Sequence, residues 1–377
     1  MKTNHSIEIL KCILSGTAPS KDAVSAVSLY DLYDFCSLNK LIPLTAGMLS
    51  GWQCTTADEQ ELVAWWKNEA ARLVFLEYKK LSLVKKLAEA AKERGLSLLF
   101  FKGYLLSSLY SDFTLRNSSD TDILVKKEQF TKVTALLEEL QYIHDASLDT
   151  EHVYTYLYKE ADYTVHKIEL HTSLYEDAHG AQLNTLKQLA LDSPERTVLC
   201  ECCGLQLLTL GHTEHFIYQI FHMVKHLACH GFPARYLADT VLFIKAHISH
   251  IDWGIVTDAM KCLGYSLFYE NLCSIMIHYF DAPNCILGSK TPLLPSACNG
   301  LLEDILHFGA RGFGDKFSDG FYFFEQYIEI LEQKAGTRLE IISFDGSTVP
   351  EKVVPLKIQQ NEALQNRIRF LQTLELI

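Results

Sequence analysis

An abrupt change of texture at Gly95 constrains this chain more than any other feature of its sequence. Upstream, apolar residues recur at helical spacing. From Ala57 to Arg94, Val63, Trp66, Leu73, Leu76, Leu83 and Leu87 form one buried stripe, and Leu29, Leu32, Tyr33 and Phe35 repeat the pattern earlier. Gly95 stands where a helix C-terminus favours glycine. Downstream the periods shorten. Leu96–Phe101 reads as a buried strand, Tyr104–Tyr110 as a short helix and Thr121–Val125 as a second strand. Glu128–Gln141 is an amphipathic helix, and His152–Tyr158 and Tyr163–His171 alternate as two strands joined by a Lys159–Asp162 turn. This predicts an α/β (α+β) fold: a small mixed-sheet core over residues 95–180, flanked by a helical region at 1–94 and a mainly helical region at 181–377. Within the last region, the Gly/Pro-punctuated stretch Arg338–Leu356 admits two short strands, and the aromatic cluster at 321–327 reads as core.

With 48% hydrophobic and 21% charged residues among 377, the chain is neither disordered nor fibrous. Its net charge of −12 argues against bulk nucleic-acid binding. Between Trp66 and Gly95, however, eight basic residues stand against four acidic ones. The Lys79, Lys80, Lys85 and Lys86 cluster is expected to be a solvated face. The eleven cysteines are scattered, as reduced core thiols are. No run approaches the roughly 20 apolar residues that span a bilayer, and the start lacks a signal-peptide core. A cytoplasmic protein with no membrane partner is the expectation. Thr197–Leu208, with Cys200, Cys202 and Cys203, reads as one strand with its thiols in a core rather than as a metal site.

The chemistry concentrates at residues 101–125. Asp120 and Asp122 lie at the mouth of a strand, where i and i+2 share a face. Two unpaired carboxylates so placed repel one another unless a cation lies between them, and Mg²⁺ prefers hard oxygen ligands. Glu169, on a later strand, can supply a third acid. Lys102 and Gly103 stand between strand and helix, where lysine brings positive charge and glycine lets backbone approach phosphate. His212, His215, His222, His226 and His230 cluster further on. His222 and His226 have the i, i+4 spacing of zinc ligands without the other parts of such a site, so zinc, a site-lining role and a structural role all remain open.

Lys102, Gly103, Leu106, Leu109, Tyr110, Arg116, Ser118, Asp120 and Asp122, followed by Ile-Leu-Val, resemble the uncharacterised nucleotidyltransferase family of the DNA polymerase β-like superfamily. Glu169-Leu170-His171, the His222/Lys225/His226 element and Arg235 with Asp239 are similar to later parts of the same pattern. The resemblance departs in Tyr104, where the superfamily usually has serine, and in Glu169, where aspartate is commoner. It implies transfer of a nucleoside monophosphate from an NTP (ATP is the first guess) to an unknown acceptor, with Mg²⁺ or Mn²⁺. In that scheme Asp120, Asp122 and Glu169 are the catalytic and metal-binding acids. Lys102, Gly103, Ser107, Arg116, Ser118, His222 and His226 are the nucleotide-binding residues. Arg116 either neutralises the triphosphate or braces its loop by pairing with Asp112. The alternatives are a non-catalytic nucleotide- or partner-binding protein on the same fold, and a toxin-type nucleotidyltransferase acting on RNA.

Overall fold

The computed structural model describes residues 2–17, 27–160, 164–175, 181–229, 231–308 and 369–376. The strands expected in Arg338–Leu356, the aromatic cluster at 321–327, residues 161–163 of the expected turn, and His230 lie outside the described residues.

Three helices lead in: α1 (Thr3–Ser15), α2 (Leu29–Leu38) and the single turn α3 (Ile42–Thr45). The run read from Ala57 to Arg94 is one helix, α4 (Ala57–Glu93). Thr56 opens it by accepting from the Glu59 N–H at 3.2 Å. The Glu59 carboxylate in turn accepts from the Thr55 N–H at 2.6 Å and its hydroxyl at 2.9 Å, a variant of the reciprocal capping box. Gly95, at φ +65°, follows its end, and the Leu96 N–H returns to the Ala91 carbonyl at 2.9 Å.

Seven strands follow: β1 (Leu98–Phe101), β2 (Asp120–Val125), β3 (Ile143–His144), β4 (Val153–Lys159), β5 (Val165–His171), β6 (Thr197–Cys202) and β7 (Leu205–Leu210). Their order across the mixed sheet is β3-β4-β5-β2-β1-β7-β6. Helix α5 (Gly103–Ser107) leaves β1, and α6 (Phe130–Glu139) connects β2 to β3. Thr197–Leu208 is therefore not a single strand. Cys203 and Gly204 both adopt positive φ and turn the chain into a two-residue hairpin. Cysteine is not an ordinary residue for that conformation, which is why the turn is hard to read. β7 then pairs in parallel with β1, so the sheet extends beyond residue 180. Cys202 is buried, but β6 is an edge strand and Leu199 on it is 69% exposed.

Alternation along β1 explains its wholly apolar sequence. Leu98 and Phe100 pack with Val84 and Leu87 of α4 and with Val133, Leu136 and Leu137 of α6. Leu99 and Phe101 join the larger core on the other face, built from the N-terminal helices and from α7 (Ala181–Leu189), α8 (His212–Cys229), α9 (Ala234–His247), α10 (Trp253–Leu263) and α11 (Ser266–Phe280). Buried Asn39 ties the two helical regions: its amide donates to the Leu306 carbonyl at 3.4 Å and its oxygen accepts from the Ala234 N–H at 2.7 Å. Among the described residues, no helix is long and apolar enough to cross a membrane.

Candidate active site

Strand register brings the acidic residues together. β2 and β5 run parallel, with Asp120 opposite Lys167, Asp122 opposite Glu169 and Leu124 opposite His171. Facing residues of neighbouring strands lie on one side of the sheet, so the two segments make one surface. Asp122 is buried, and its Oδ1 accepts from Lys102 Nζ at 2.7 Å and lies 3.0 Å from His171 Nε2. Burial alone raises this carboxyl, but the Lys102 charge and the His171 hydrogen bond outweigh it and hold it well below the usual carboxylate range. Burial and then the Lys102 charge lower His171, so the neutral ring donates its Nε2–H to Asp122. Lys102 reaches this position from a residue with φ +58°, uncommon for a non-glycine side chain.

The acids are not bare, contrary to the expectation of an unpaired, repelling couple. Lys167 Nζ donates to Glu169 at 2.6 Å and lies 3.5 Å from Asp120. With Lys102 it supplies the positive charge that the sequence reading assigned to a cation. Among the described residues the tight ligand set is Asp122, Glu169 and His171, whose donor atoms lie within 4.8 Å of one another. Asp120 stands apart from that set, at the start of the strand, bonded to the Ser119 hydroxyl at 2.9 Å.

Arg116 pairs with neither Asp112 nor solvent. Asp112 turns back on Thr114, accepting from its N–H at 2.9 Å and its hydroxyl at 2.6 Å. The buried Arg116 guanidinium instead makes two bonds to Asp239 of α9, at 3.0 and 2.7 Å, and Tyr110 donates to the same carboxylate at 2.8 Å. This pins the 112–119 loop to the C-terminal helices. A second anchor comes from α4, where the buried pair Glu77–Lys80 (2.8 Å) grips Ser118. Glu77 accepts the Ser118 N–H at 2.7 Å, while Lys80 donates to the Ser118 hydroxyl at 2.8 Å and to its carbonyl. Lys80 is therefore not part of a solvated face, and Lys79 pairs with Glu160; Lys85 and Lys86 are exposed. Gly103 is needed for contact as much as for any ligand: a Cβ there would stand 3.1 Å from Arg116 Nη1 and 3.2 Å from Ser118 Cβ.

One cavity of 390 Å³ is lined by Lys102, Gly103, Arg116, Ser118, Asp120, Asp122, Glu169, His222 and His226 among others. Ser107 is absent from its wall; that hydroxyl lies buried against the Gly103 and Arg116 carbonyls at 3.1 and 3.2 Å. Tyr104, in the place of the superfamily's serine, packs away into the core with Phe100 and Leu105. His222 and His226 face each other with their Nε2 atoms 3.1 Å apart, and His222 lies between the rings of Tyr218 and Tyr236. Burial and then the neighbouring His226 hold the His222 pKa well below its ordinary value, so the His222 ring is neutral. His215, on the same helix, packs instead against Phe243, outside the cavity wall.

Lys40 and Lys167 carry no expectation from the sequence, and Lys80 is expected on a solvated face instead of in the site. Lys167 was within reach, since it alternates with Glu169 on one strand face. Lys80 carried an i, i+3 signal with Glu77, but nothing local tells a buried pair from a solvated one.

Carboxylates and basic groups gathered round one cavity at a strand mouth suit a substrate that is itself a polyanion accompanied by a cation, as in phosphoryl-group chemistry. The chain belongs to the uncharacterised nucleotidyltransferase family, whose model matches residues 25–281. Among solved structures it is similar to the antibiotic-resistance factor ANT(2'')-Ia in solution, at 14% identity over 54% of this chain and 98% of that one, with a TM-score of 0.35. The crystal structure of ANT(2'')-Ia with adenylyl-2''-tobramycin gives 16% identity over 49% and 97%, TM-score 0.35. An antigenic nucleotidyltransferase-like protein from Paracoccidioides brasiliensis gives 12% over 48% and 85%, TM-score 0.33. No curated protein matches the chain.

Proposed function

We propose that the chain transfers a nucleoside monophosphate from an NTP to an acceptor hydroxyl, releasing pyrophosphate. The observation that carries this reading is the register that sets Asp122 beside Glu169, with Asp120 on the same cavity wall. The donor set fits a divalent ion: Asp122, Glu169 and His171 already converge within 4.8 Å, and the two carboxylates supply hard oxygens that suit Mg²⁺ or Mn²⁺. When bound, such an ion supplies charge neutralisation at the phosphoryl oxygens. The Lys167 ammonium, now on Glu169, must turn aside to admit it.

The chain's own residues then divide the work. The acceptor oxygen forms a bond to the α-phosphorus, the bond from that phosphorus to the β-bridging oxygen breaks, and pyrophosphate leaves. Glu169, the more accessible of the paired acids, takes the acceptor proton. Lys102 stabilises negative charge developing on the phosphoryl group. Arg116 keeps Gly103 and the 117–119 loop in place through its two bonds to Asp239, and its Nη1, on the cavity wall without a hydrogen-bond partner, is left for the nucleotide.

The test is to incubate the protein with each α-labelled NTP, Mg²⁺ or Mn²⁺ and a cell extract, then follow the label. Transfer that disappears in Glu169→Gln, with nucleotide binding retained, supports the reading. Label that never leaves the nucleotide, while the nucleotide still raises the melting temperature, returns a nucleotide-binding protein instead.

A further inference from the structure

Several cations line the cavity, and most are spoken for. On its wall Lys102 is committed to Asp122, Arg116 to both oxygens of Asp239, and Lys225 is not free; Lys167, outside the wall, is held by Glu169. Arg235 and Lys40 differ. Arg235 is 4% exposed; its Nη1 donates to the Asn117 carbonyl at 2.6 Å and its Nε meets no acceptor. Neither Arg235 nor Lys40 makes an ion pair among the described residues. Both lie on the wall shared with a neighbouring cavity of 410 Å³, beside Ser118 and Ser119.

Burying a guanidinium without a carboxylate is costly, and a chain of net charge −12 has no shortage of carboxylates to offer. Positive neighbours burden both groups. Burial and then the Arg235 charge draw Lys40 down to about 8, and burial and then the Arg116 charge lower Arg235, against a weaker upward pull from Asp239. An anion between them relieves both effects. Guanidinium and ammonium donors together match the several oxygens of a phosphate chain better than a single carboxylate.

We propose that Lys40 and Arg235 form a phosphate site, where the two cavities meet, that takes the β- and γ-phosphoryl groups of the nucleotide. The assignment rests on the nucleotidyl-transfer reading for its placement: the α-phosphorus has to lie at Asp122 and Glu169, so the outer phosphates extend to the cations that remain unpaired. These residues come from the α2–α3 connection and from α9, which explains why no single sequence block displays the site.

The experiment is isothermal titration of the full chain with inorganic tripolyphosphate, with AMP and with the NTP that the wild type binds best, all in Mg²⁺. Tripolyphosphate and NTP should compete. Lys40→Gln and Arg235→Gln should each weaken both by tenfold or more, leave AMP within threefold, and lose less in Arg235→Lys. Lys40→Gln breaks no ion pair among the described residues, so it tests the site even where Arg235→Gln folds poorly. NTP affinity unchanged within threefold in both Gln variants overturns the assignment and leaves the transferase reading standing. So does tripolyphosphate that binds without displacing NTP, which would give these cations to an anionic acceptor. A wild type that binds no NTP at all fails the transferase reading itself.

Discussion

At the scale of single residues, Asp122 and Asp120 are far from equivalent although they share a motif. Asp122 is 3% exposed and compensates the Lys102 charge, so Asp122→Asn strands an ammonium that water reaches only in part. Removing one partner of a fully buried pair costs about 3–5 kcal/mol, and partial access of Lys102 reduces this to roughly 2–3 kcal/mol. Asp120→Asn, at a partly exposed position with a 3.5 Å partner, should cost no more than about 0.5 kcal/mol. Urea midpoints of the two variants check the difference, and equal midpoints would contradict the pairing. The pH dependence has a definite sign. Because the folded Asp122 carboxyl lies below its unfolded value, its stabilisation is complete above a pH of about 3.9 and is lost as pH falls towards the folded value. Asp122→Asn should therefore flatten the acid limb of the stability curve. Gly103→Ala forces a methyl between Arg116 and Ser118, which are held from opposite sides by Asp239 and by Lys80. Overpacking of this kind costs about 1–3 kcal/mol. The melting-temperature rise given by NTP with Mg²⁺ should shrink with it.

Among the elements, α4 shows what a sequence reading can and cannot reach. Its length and its glycine stop are local properties, and both are legible; of the expected stripe Trp66, Leu83 and Leu87 are buried, while Val63, Leu73 and Leu76 are half-buried. The face carrying Lys79 and Lys80 is different, because burial of Lys80 depends on Ser118, 38 residues away. The same contrast holds for β2 and β5. The strands are visible as runs, but the pairing that sets Lys167 against Asp120 depends on register between segments separated by α6 and two more strands. The clamp on Ser118 predicts a non-additive pair. Lys80→Met alone should cost about 3 kcal/mol, since it leaves Glu77 buried and unpaired, and Glu77→Leu alone should cost a similar amount. The double variant should recover at least about 1 kcal/mol against the sum, as apolar replacements of whole buried pairs do. Additive losses in a chemical-denaturation cycle would mean that Glu77 and Lys80 act on the loop independently.

Across the whole molecule, the α/β texture between Gly95 and His171 was enough to foretell a mixed sheet flanked by helices, because each period is written locally. What joins the parts is not local. Arg116 meets Asp239 at a separation of 123 residues, β7 enters the sheet beside β1 from beyond residue 200, and Asn39 bonds across to Leu306. The same dense packing of helices on the sheet makes the protein's stability depend on histidine. Burial depresses His215 to about 3, burial and then His212 lower His247 to about 4, and His222 lies well below its ordinary value. In each case the unfolded chain binds a proton near a pH of about 6.5, while the folded chain refuses it until much lower pH. The stabilisation is therefore complete above that pH and is lost as pH falls from it towards the folded values. One such group contributes a slope of up to about 1.4 kcal/mol per pH unit, and several acting together steepen it. Unfolding free energies measured at a series of pH values should hold steady above about 7 and drop by at least about 2 kcal/mol per unit between roughly 6 and 5. His215→Leu should remove one proton's worth of that slope, because Nε2 of His215 has no acceptor to lose and the ring sits against Phe243 in an apolar setting. A stability curve level down to pH 5, or one that His215→Leu leaves unchanged, would show that the fold tolerates these imidazoles charged.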